Sequence, residues 1–346
     1  MRKIPILASA IFLAVAAAGC GGRDSASQAD AVASATSATS AAPADPQAEP
    51  IVIERFDRAV MAYDSLDRHG RDSIAEAYTP VLLFLGGDNF NVDRLMSDIR
   101  VSQAQKVFGP DVECYLPDLS SIETSIGQLR ANMSRELPGL QFPRHIYGIV
   151  TPYAQSIVAV ADTSLLLGLN HYLGASYPGY QGYVENYMLP LKEPRRVVYD
   201  VAEALISMRY PYAETDGSTL LSRMLYDGAI LAAMLRTVPG STLQSVMGYT
   251  DEQMRWAADN ENAVWSELAR RQLLYSTDPS VGARLMRPAP SSALLTPDAP
   301  GRIGRYMGYR LIESYLRHNP EESPAGFLAD SLWLSPSTLR QSGYGR

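Results

Sequence analysis

The chain has two cysteines, and the position of the first decides how the rest of it can be stabilised. Cys20 ends the leader MRKIPILASAIFLAVAAAGC, in which a basic start precedes an apolar run too short to span a bilayer. Small residues directly before a cysteine are typical of a lipoprotein leader, so we expect cleavage after residue 19 and lipid on Cys20; an ordinary secretory leader is the alternative. Cys114 is then without a disulfide partner, and the fold depends on an apolar core in which we expect this thiol to be buried.

Composition divides the rest of the chain into a tether and one domain. Residues 20–50 are rich in Ala, Ser, Gly and Pro and carry almost no large apolar side chain, which favours a flexible tether. Residues 51–346 show no linker and no repeat, so we expect a single globular domain. The formal net charge of −7 becomes −9 once Arg2 and Lys3 leave with the leader, and no basic patch is evident. Nucleic acid is therefore not an expected partner.

The apolar periodicity predicts a mostly helical α+β fold with a small sheet at about 145–170, embedded among many helices. Three short β-branched runs, HIYGIV, SIVAVA and SLLLGL, are bounded by Pro, Gly and Asp and predict strands. Apolar residues at helical spacing predict helices over 53–66, 92–108, 119–137, 194–209, 218–237, 251–275 and 301–318.

The segment GLNHYLGASYPGY, which follows the third predicted strand, is the candidate interaction surface. Tyrosine is amphipathic and frequent at recognition surfaces. The surface would comprise Asn170, His171, Tyr172, Tyr177, Tyr180, Tyr183 and Tyr187. The alternative is that the tyrosines pack this loop onto the helices, with each hydroxyl bonded to the backbone. We interpret His171 as a hydrogen-bonding loop residue and not as a catalyst.

A second candidate feature is an acid on an apolar helical face. Thr250 and Gln253 predict a capping box at the start of helix 251–275. Its inward stripe would be Met254, Ala258, Glu261, Trp265 and Leu268. A carboxylate there needs a partner, so we expect Glu261 to form a buried ion pair with Arg302 or Arg310; a general acid or a metal ligand is the alternative.

Four separated blocks, in order, resemble one family. They are LLLGLNHYLGASYPGY, TLLSRMLYDGAIL, MGYTDEQMRWAADNENAVWSELARRQLLYSTD and PGRIGRYMGYRLIESYL. Together they resemble the gliding-motility lipoproteins of the GldB family of Bacteroidota. The resemblance implies a membrane-anchored envelope protein that takes part in gliding, or in the linked type IX secretion, through protein partners and not through catalysis. The family usually has Asp at the position of Asn170 and Met at that of His171, which weighs against a fixed role for His171.

The layout of sheet and helices also resembles zinc peptidases of the HExxH type, more distantly. The corresponding helix, RVVYDVAEALISMRY, has no histidine, and Asp227-Gly228 would stand where such enzymes carry an acid-glycine pair. No two of the four histidines are close in sequence. The resemblance therefore implies a degenerate, peptidase-like fold, and we expect no metal and no cofactor.

Two other functions stay open at this stage. One is a hydrolase with a non-standard site that uses Glu203, Glu261 or His171. The other is a glycan-binding lipoprotein that uses the tyrosine-rich loop. Gly21 and Gly22 follow Cys20 without an acidic cluster, so we expect an outer-membrane lipoprotein on the periplasmic face.

Overall fold

The computed structural model describes residues 42, 44–45, 47–152, 155–160 and 163–345, which lie in one compact unit of residues 41–346. The predicted leader, Cys20 and most of the predicted tether lie outside the described residues. Among the helices of the described part, none combines the length and the apolar character that crossing a bilayer requires.

Residues at the end of the predicted tether pack on the domain that begins at residue 51. Ala42 is buried and forms a β-bridge with Pro239. The backbone of Glu49 lies against Gly127, where any side chain would overlap it. The absence of a side chain at Gly127 allows this close approach, so the ordered domain includes Ala42 and the residues just before 51.

Helices make up most of the domain. In chain order they are α1 (Phe56–Ala62), α2 (Arg68–Ala77), α3 (Thr79–Gly86), α4 (Val92–Val101), α5 (Gln103–Tyr115), α6 (Ser120–Glu136), α7 (Val197–Arg209), α8 (Leu220–Thr237), α9 (Leu243–Met247), α10 (Asp251–Asp259), α11 (Glu261–Arg270), α12 (Pro279–Met286), α13 (Ile303–His318), α14 (Pro324–Ala329) and α15 (Thr338–Ser342). Single 3-10 turns, and one longer 3-10 stretch at Asn186–Lys192, fill several of the connections.

One mixed sheet lies among these helices. Its strands are β1 (Ile53–Arg55), β2 (His145–Ile149), β3 (Ile157–Val160) and β4 (Ser164–Gly168), in the order β1-β2-β4-β3. β1 and β4 are both parallel to β2, and β3 is antiparallel to β4. The predicted mostly helical α+β fold with a small sheet is confirmed.

Both faces of the sheet are covered, which explains the nearly continuous apolar sequence of β4. On one face Ile146 and Leu165 join the large core formed with α6, α7, α8 and α13. On the other face Tyr147 and Leu166 pack in a smaller core with Phe56 of α1. The alternation follows the two-residue period of a strand.

Three predicted boundaries are wrong. The helix expected over 53–66 begins only at Phe56, because Ile53–Arg55 is a sheet strand whose Ile53 amide donates to Glu123 Oε1 (2.8 Å). The helix expected over 92–108 is split at Ser102, which caps α5 by accepting from the Gln105 amide (3.2 Å). The helix expected over 251–275 is broken at Asn260. In the first two cases a long-range contact or a local cap overrides a helical pattern.

The break at Asn260 also changes the predicted inward stripe. Ala257, Val264 and Leu268 are buried, whereas Ala258 is exposed. The capping box at Thr250 is confirmed, since its hydroxyl accepts from the Gln253 amide and the Gln253 side chain accepts from the Thr250 amide. The expectation for Cys114 is wrong: its thiol is exposed, because the buried face of α5 is set by Gln105, Gly109 and Val112 at helical spacing.

Helices α8 and α13 cross in close contact, and this crossing positions the charged side chains of the candidate functional site. A Cβ atom at Gly308 would overlap the carbonyl of Met224, and one at Gly228 would overlap the backbone of Gly308. As a result, polar side chains on the first turns of α13 lie directly beside α8. Gly304, four residues before Gly308, lies instead against Met286 and Leu285 of α12.

Candidate functional site

The tyrosine-rich segment is mostly interior. Tyr172, Tyr177 and Tyr180 are each at most 5% exposed, whereas Tyr183 is 86% exposed. Tyr187 is half-buried. The interaction-surface interpretation is therefore wrong for the first three rings, and within this segment only Tyr183 presents a fully exposed ring.

Hydrogen bonds explain why the segment folds inward. Asn170, also buried, accepts from the Thr151 amide and donates to the Thr151 carbonyl, both at 3.0 Å. The Tyr180 hydroxyl donates to the Asn170 carbonyl (2.7 Å) and accepts from the Leu173 amide (3.1 Å). Burial raises the pKa of Tyr180 to about 12, so it stays a neutral donor. Asn170 therefore stabilises the loop and is not part of a surface.

The remaining residues of the segment connect it to charged groups on the helices. Tyr177 donates to Asp111 of α5. Tyr172 donates to Asp200 Oδ2 of α7 (2.8 Å). His171 is half-buried, and its Nδ1 lies 3.2 Å from Lys192 Nζ. The tyrosine-rich segment therefore lies against a group of polar side chains on α7.

Polar side chains recur along one stripe of α7 and its preceding turn, at Arg196, Asp200 and Glu203. This spacing places them on one helical face. Arg196 Nη2 lies 3.4 Å from Asp200 Oδ1. Burial raises the pKa of Asp200 above its ordinary value, although Arg196 and the Tyr172 hydroxyl oppose the rise. Lys192 nearby has a lowered pKa, again because of burial.

Glu203 and Asp227 of α8 meet at one guanidinium. Arg305 of α13 donates to Glu203 Oε1 (2.8 Å), and its Nε lies 3.8 Å from Asp227 Oδ2. Arg223 Nε lies 3.2 Å from Asp227 Oδ1. Burial acts to raise the pKa of Glu203, but the nearby positive charges of Arg305, Arg302 and Arg196 outweigh it and the pKa is lowered. For Asp227 burial prevails, and the pKa is raised.

We call these coupled residues the central ionic cluster. Its members are Lys192, Arg196, Asp200, Glu203, Arg223, Asp227, Arg302 and Arg305. Arg305 is only 9% exposed at its side chain, whereas Glu203 keeps 36% of its side chain accessible and Asp200 keeps 28%. The cluster is therefore buried at Arg305 and open to solvent along α7.

Glu261 belongs to a separate group of polar side chains, the Glu261 cluster. Its Oε2 accepts from Arg310 Nε (2.8 Å) and from the Tyr306 hydroxyl (2.9 Å), and its Oε1 accepts from the Tyr344 hydroxyl (2.6 Å). Arg302, the other expected partner, lies instead over the ring of Tyr249, 5.8 Å from the centroid. Three donors occupy both oxygens of Glu261, an arrangement typical of a structural ion pair.

The carboxylates that sequence analysis considered are thus distributed over two clusters. Glu203 and Asp227 are brought together, whereas Glu261 is separate from them. The sequence did not point to Asp200, Lys192 or the arginines that pair with the acids. The helical spacing of Arg196, Asp200 and Glu203 on an apolar helix could have indicated that these three side chains share one face. In the described part of the chain, no group of three or more His, Cys, Asp or Glu side chains is arranged to hold a metal ion.

The fold and the clusters define a class: a mostly helical α+β domain in which a small covered sheet supports helices joined by buried ion pairs. The model of the gliding motility protein GldB family matches residues 39–345. The chain therefore belongs to the GldB family of gliding-motility lipoproteins. The start of the match agrees with the domain beginning before residue 51. No curated protein and no solved structure matches the chain.

Proposed function

We propose that this member of the GldB family acts by binding other proteins of the gliding or type IX secretion apparatus, and not by catalysis. The observation that carries the proposal is the pairing of Glu203 and Asp227 with arginine. A catalytic carboxylate exchanges a proton, attacks as a nucleophile or binds a metal, but both oxygens of Asp227 and one of Glu203 face the guanidinium groups of Arg223 and Arg305. Arginine stays protonated at physiological pH and supplies no acid–base chemistry.

Anchoring belongs to the same proposal. Lipid on Cys20 would hold the protein at the outer membrane, and the absence of acidic residues directly after Gly21 and Gly22 supports the periplasmic face. In this arrangement the domain meets its partners in the periplasm. Labelling intact cells with a membrane-impermeant biotin reagent tests this placement: protection of the lysines in intact cells, and labelling after lysis, is the expected result.

In-cell photo-crosslinking tests the binding function. A photoreactive amino acid replaces Tyr183, and in a matched protein it replaces Tyr275, which is also exposed but lies in another part of the chain. We expect crosslinks from one or both positions to gliding or type IX secretion components, identified by mass spectrometry. If the lipidated protein crosslinks to none of them from either position, partner binding loses its support.

A charge-neutral replacement tests the absence of catalysis. Glu203→Gln with Arg305→Met removes both members of the pair, and Asp227, which also faces Arg305, keeps Arg223 as its partner. Under the proposal, a folded double variant keeps its crosslinked partners and complements a deletion strain. A variant that folds and crosslinks like the wild type but fails to complement would instead favour chemistry at Glu203.

One observation favours a hydrolase as the second candidate. Asp200 has a raised pKa, is partly accessible and lies near Lys192, whose pKa is lowered. Shifts of this kind are frequent among acid–base residues. Loss of complementation by a folded Asp200→Asn variant, with its crosslinks retained, would support this candidate. The glycan-binding alternative has no comparable support, because three of its five tyrosines are buried.

A further inference from the structure

The two edges of the sheet differ in how their backbone groups are satisfied. At the β1 edge, α6 supplies the partners: the Ile53 amide donates to Glu123 Oε1 (2.8 Å) and the Ile51 amide donates to the Glu123 carbonyl (3.1 Å). At the other edge, β3 pairs with β4 alone among the described strands. An edge strand leaves a row of amide and carbonyl groups without a partner in the sheet. These groups are covered at β1 and open at β3.

The hydrogen bonds between β3 and β4 show which groups of β3 are open. The Gly168 amide donates to the Ser156 carbonyl (2.8 Å), so these two residues form a hydrogen-bonded pair of the antiparallel ladder. Such pairs recur at every second residue, which directs the amide and carbonyl of Val158 towards β4. Those of Ile157 and Ala159 therefore point away from the sheet. In the described part of the chain, no other group forms a hydrogen bond to them.

β3 also lacks the residues that usually protect an open edge. Its sequence, IVAV, has neither a charge nor a proline. Ala159 is exposed, and Ile157 and Val158 are half-buried. Edge strands of soluble proteins are usually shielded by charged residues, by proline or by a covering element. An apolar, uncovered edge is therefore suited to pairing with a strand of another chain.

A groove adjoins β3 on the α7 side of the sheet. It has a volume of about 450 Å³, and its walls include Leu140, Ala159, Leu205 and Met208. The Met208 side chain is 47% exposed, so part of this apolar wall is in contact with solvent. Because side chains alternate between the two faces of a strand, a strand added to β3 would direct every second side chain towards this groove.

The groove carries positive charge, although the chain as a whole has a formal net charge of −7. Arg209 lines it, and Arg144 directly follows the lining residue Pro143. Both arginines are exposed, and neither has an acidic partner among the described residues; Arg209 Nε donates to the Gly139 carbonyl (3.3 Å). No acidic side chain is among the described residues that line the groove. The local charge therefore favours an acidic partner.

We propose that the open edge of β3 binds an extended, acidic segment of a partner protein, which adds a fifth strand to the sheet. The segment exchanges backbone hydrogen bonds with Ile157 and Ala159. It places an apolar side chain beside Met208 and an acidic side chain at Arg209. A second copy of this chain fits less well, because its own β3 brings no acid to Arg209. This inference rests on the proposed partner binding and specifies where the partner is held.

A proline at position 159 tests the strand pairing. Ala159→Pro removes an amide that points away from β4, so the sheet should stay intact; Ala159→Ser keeps the amide and is the matched control. In both full-length, lipidated proteins a photoreactive amino acid replaces Met208, and crosslinking is carried out in cells. We expect about tenfold less crosslinked partner with Ala159→Pro than with Ala159→Ser, at the same Tm. Equal crosslinking by the two folded proteins would overturn the proposal.

A charge reversal tests the acidic character of the segment. Arg209→Glu should reduce the crosslinks from position 208 by about threefold. Arg255→Glu is the control, because Arg255 is also exposed on a helix and lies outside the groove. Equal crosslinking by these two variants would overturn the acidic assignment. Since Arg209→Glu leaves β3 unchanged, it tests the site even if Ala159→Pro lowers Tm.

The identity of the crosslinked chain decides the occupant. Mass spectrometry should place the crosslink from position 208 in a partner segment with an acidic residue next to apolar ones. A crosslink to a second copy of this chain would overturn the assignment to a partner. If position 208 captures nothing while Tyr183 or Tyr275 still captures a partner, the β3 site is wrong and the proposed function stands. If none of the three positions captures a protein, both lose their support.

Discussion

The two ionic clusters lie on the same helix, α13, but differ in how completely their charges are matched. In the Glu261 cluster one carboxylate receives three donors, from Arg310, Tyr306 and Tyr344. In the central ionic cluster Arg305 is shared by two carboxylates, while Arg302 lies over the ring of Tyr249. Complete matching is typical of a group that holds a fold together. Incomplete matching identifies the region where a ligand or a partner can still contribute free energy.

The largest contrast is expected from removing one arginine of each cluster. Arg305→Met leaves the buried Asp227 and the half-buried Glu203 without their shared cation, and should lower the free energy of unfolding by about 3–5 kcal/mol. Arg310→Met leaves Glu261 with two tyrosine donors and Glu313 with Arg317 (3.5 Å), and should cost only about 1–2 kcal/mol. Urea unfolding of both variants measures the difference. Equal losses would remove the distinction between the clusters.

The next largest effect is expected from a change in the spacing of α8 and α13, because this spacing positions the central ionic cluster. Gly308→Ala places a methyl group on the Met224 carbonyl, and the backbone overlap should cost about 3 kcal/mol and move Arg305 away from Asp227. Gly282→Ala is the control, since a Cβ there meets nothing within 4 Å and the residue lies inside α12. That control should be neutral or stabilising by up to about 1 kcal/mol. A well-tolerated Gly308→Ala would show that the crossing is not tight.

A smaller loss of stability is expected when one hydrogen bond of the Glu261 cluster is removed. Tyr344→Phe deletes the donor to Glu261 Oε1 but keeps the ring against Trp265. The expected loss is about 1 kcal/mol of unfolding free energy, as for a typical hydrogen bond, because Arg310 and Tyr306 still donate to Glu261. Tyr275→Phe, at an exposed ring, serves as the neutral control. A Tyr344→Phe protein as stable as the control would mean that Arg310 and Tyr306 suffice.

The smallest effect is a difference in pH dependence between two acids three residues apart. The folded pKa of Asp200 is raised, so its contribution to stability is present below about pH 4 and is lost as the pH rises through the folded pKa. Asp200→Asn should therefore gain in Tm relative to the wild type as the pH rises.

Glu203 should behave in the opposite way. Its folded pKa is lowered, so its contribution is present above about pH 4.3 and is lost as the pH falls through the folded pKa. Glu203→Gln should lose Tm relative to the wild type as the pH rises. Thermal unfolding of the wild type and both variants from acidic to neutral pH tests the pair, and parallel profiles for the two variants would contradict the assigned shifts.

Much of the fold could be predicted from the sequence, because the periodicity of apolar residues and the residue types that form turns are local features of the chain. The three strands near 145–170 and the capping box at Thr250 are recognisable from a few neighbouring residues. β1 is not, because its pairing with β2 is long-range and its residues continue the helical pattern of α1. At the break at Asn260, the side-chain amide donates to the Trp256 carbonyl (2.9 Å).

The candidate site was less accessible to sequence reasoning. Glu261 on an apolar face suggested an ion pair, and Arg310 was one of two named partners. The central ionic cluster required knowing that α7, α8 and α13 meet, which helical spacing alone does not supply. The prediction for the tyrosine-rich segment was wrong because composition indicates neither burial nor hydrogen bonding. Tyr172 and Tyr180 are buried and Tyr183 is exposed, although all three have the same side chain.

The pairing of β1 with β2 has a consequence for how the chain reaches its fold. Ile53 pairs with Ile146, so the β1–β2 contact closes a chain segment of about ninety residues, and closing a longer loop costs more entropy. Contacts between distant residues form slowly, so we expect β1 to add to the sheet after the β3–β4 hairpin has formed. Until it does, the edge of β2 is open to other strands. A newly exported chain would therefore pass through an aggregation-prone intermediate, and the yield of folded protein would depend on how fast this one short strand finds its place.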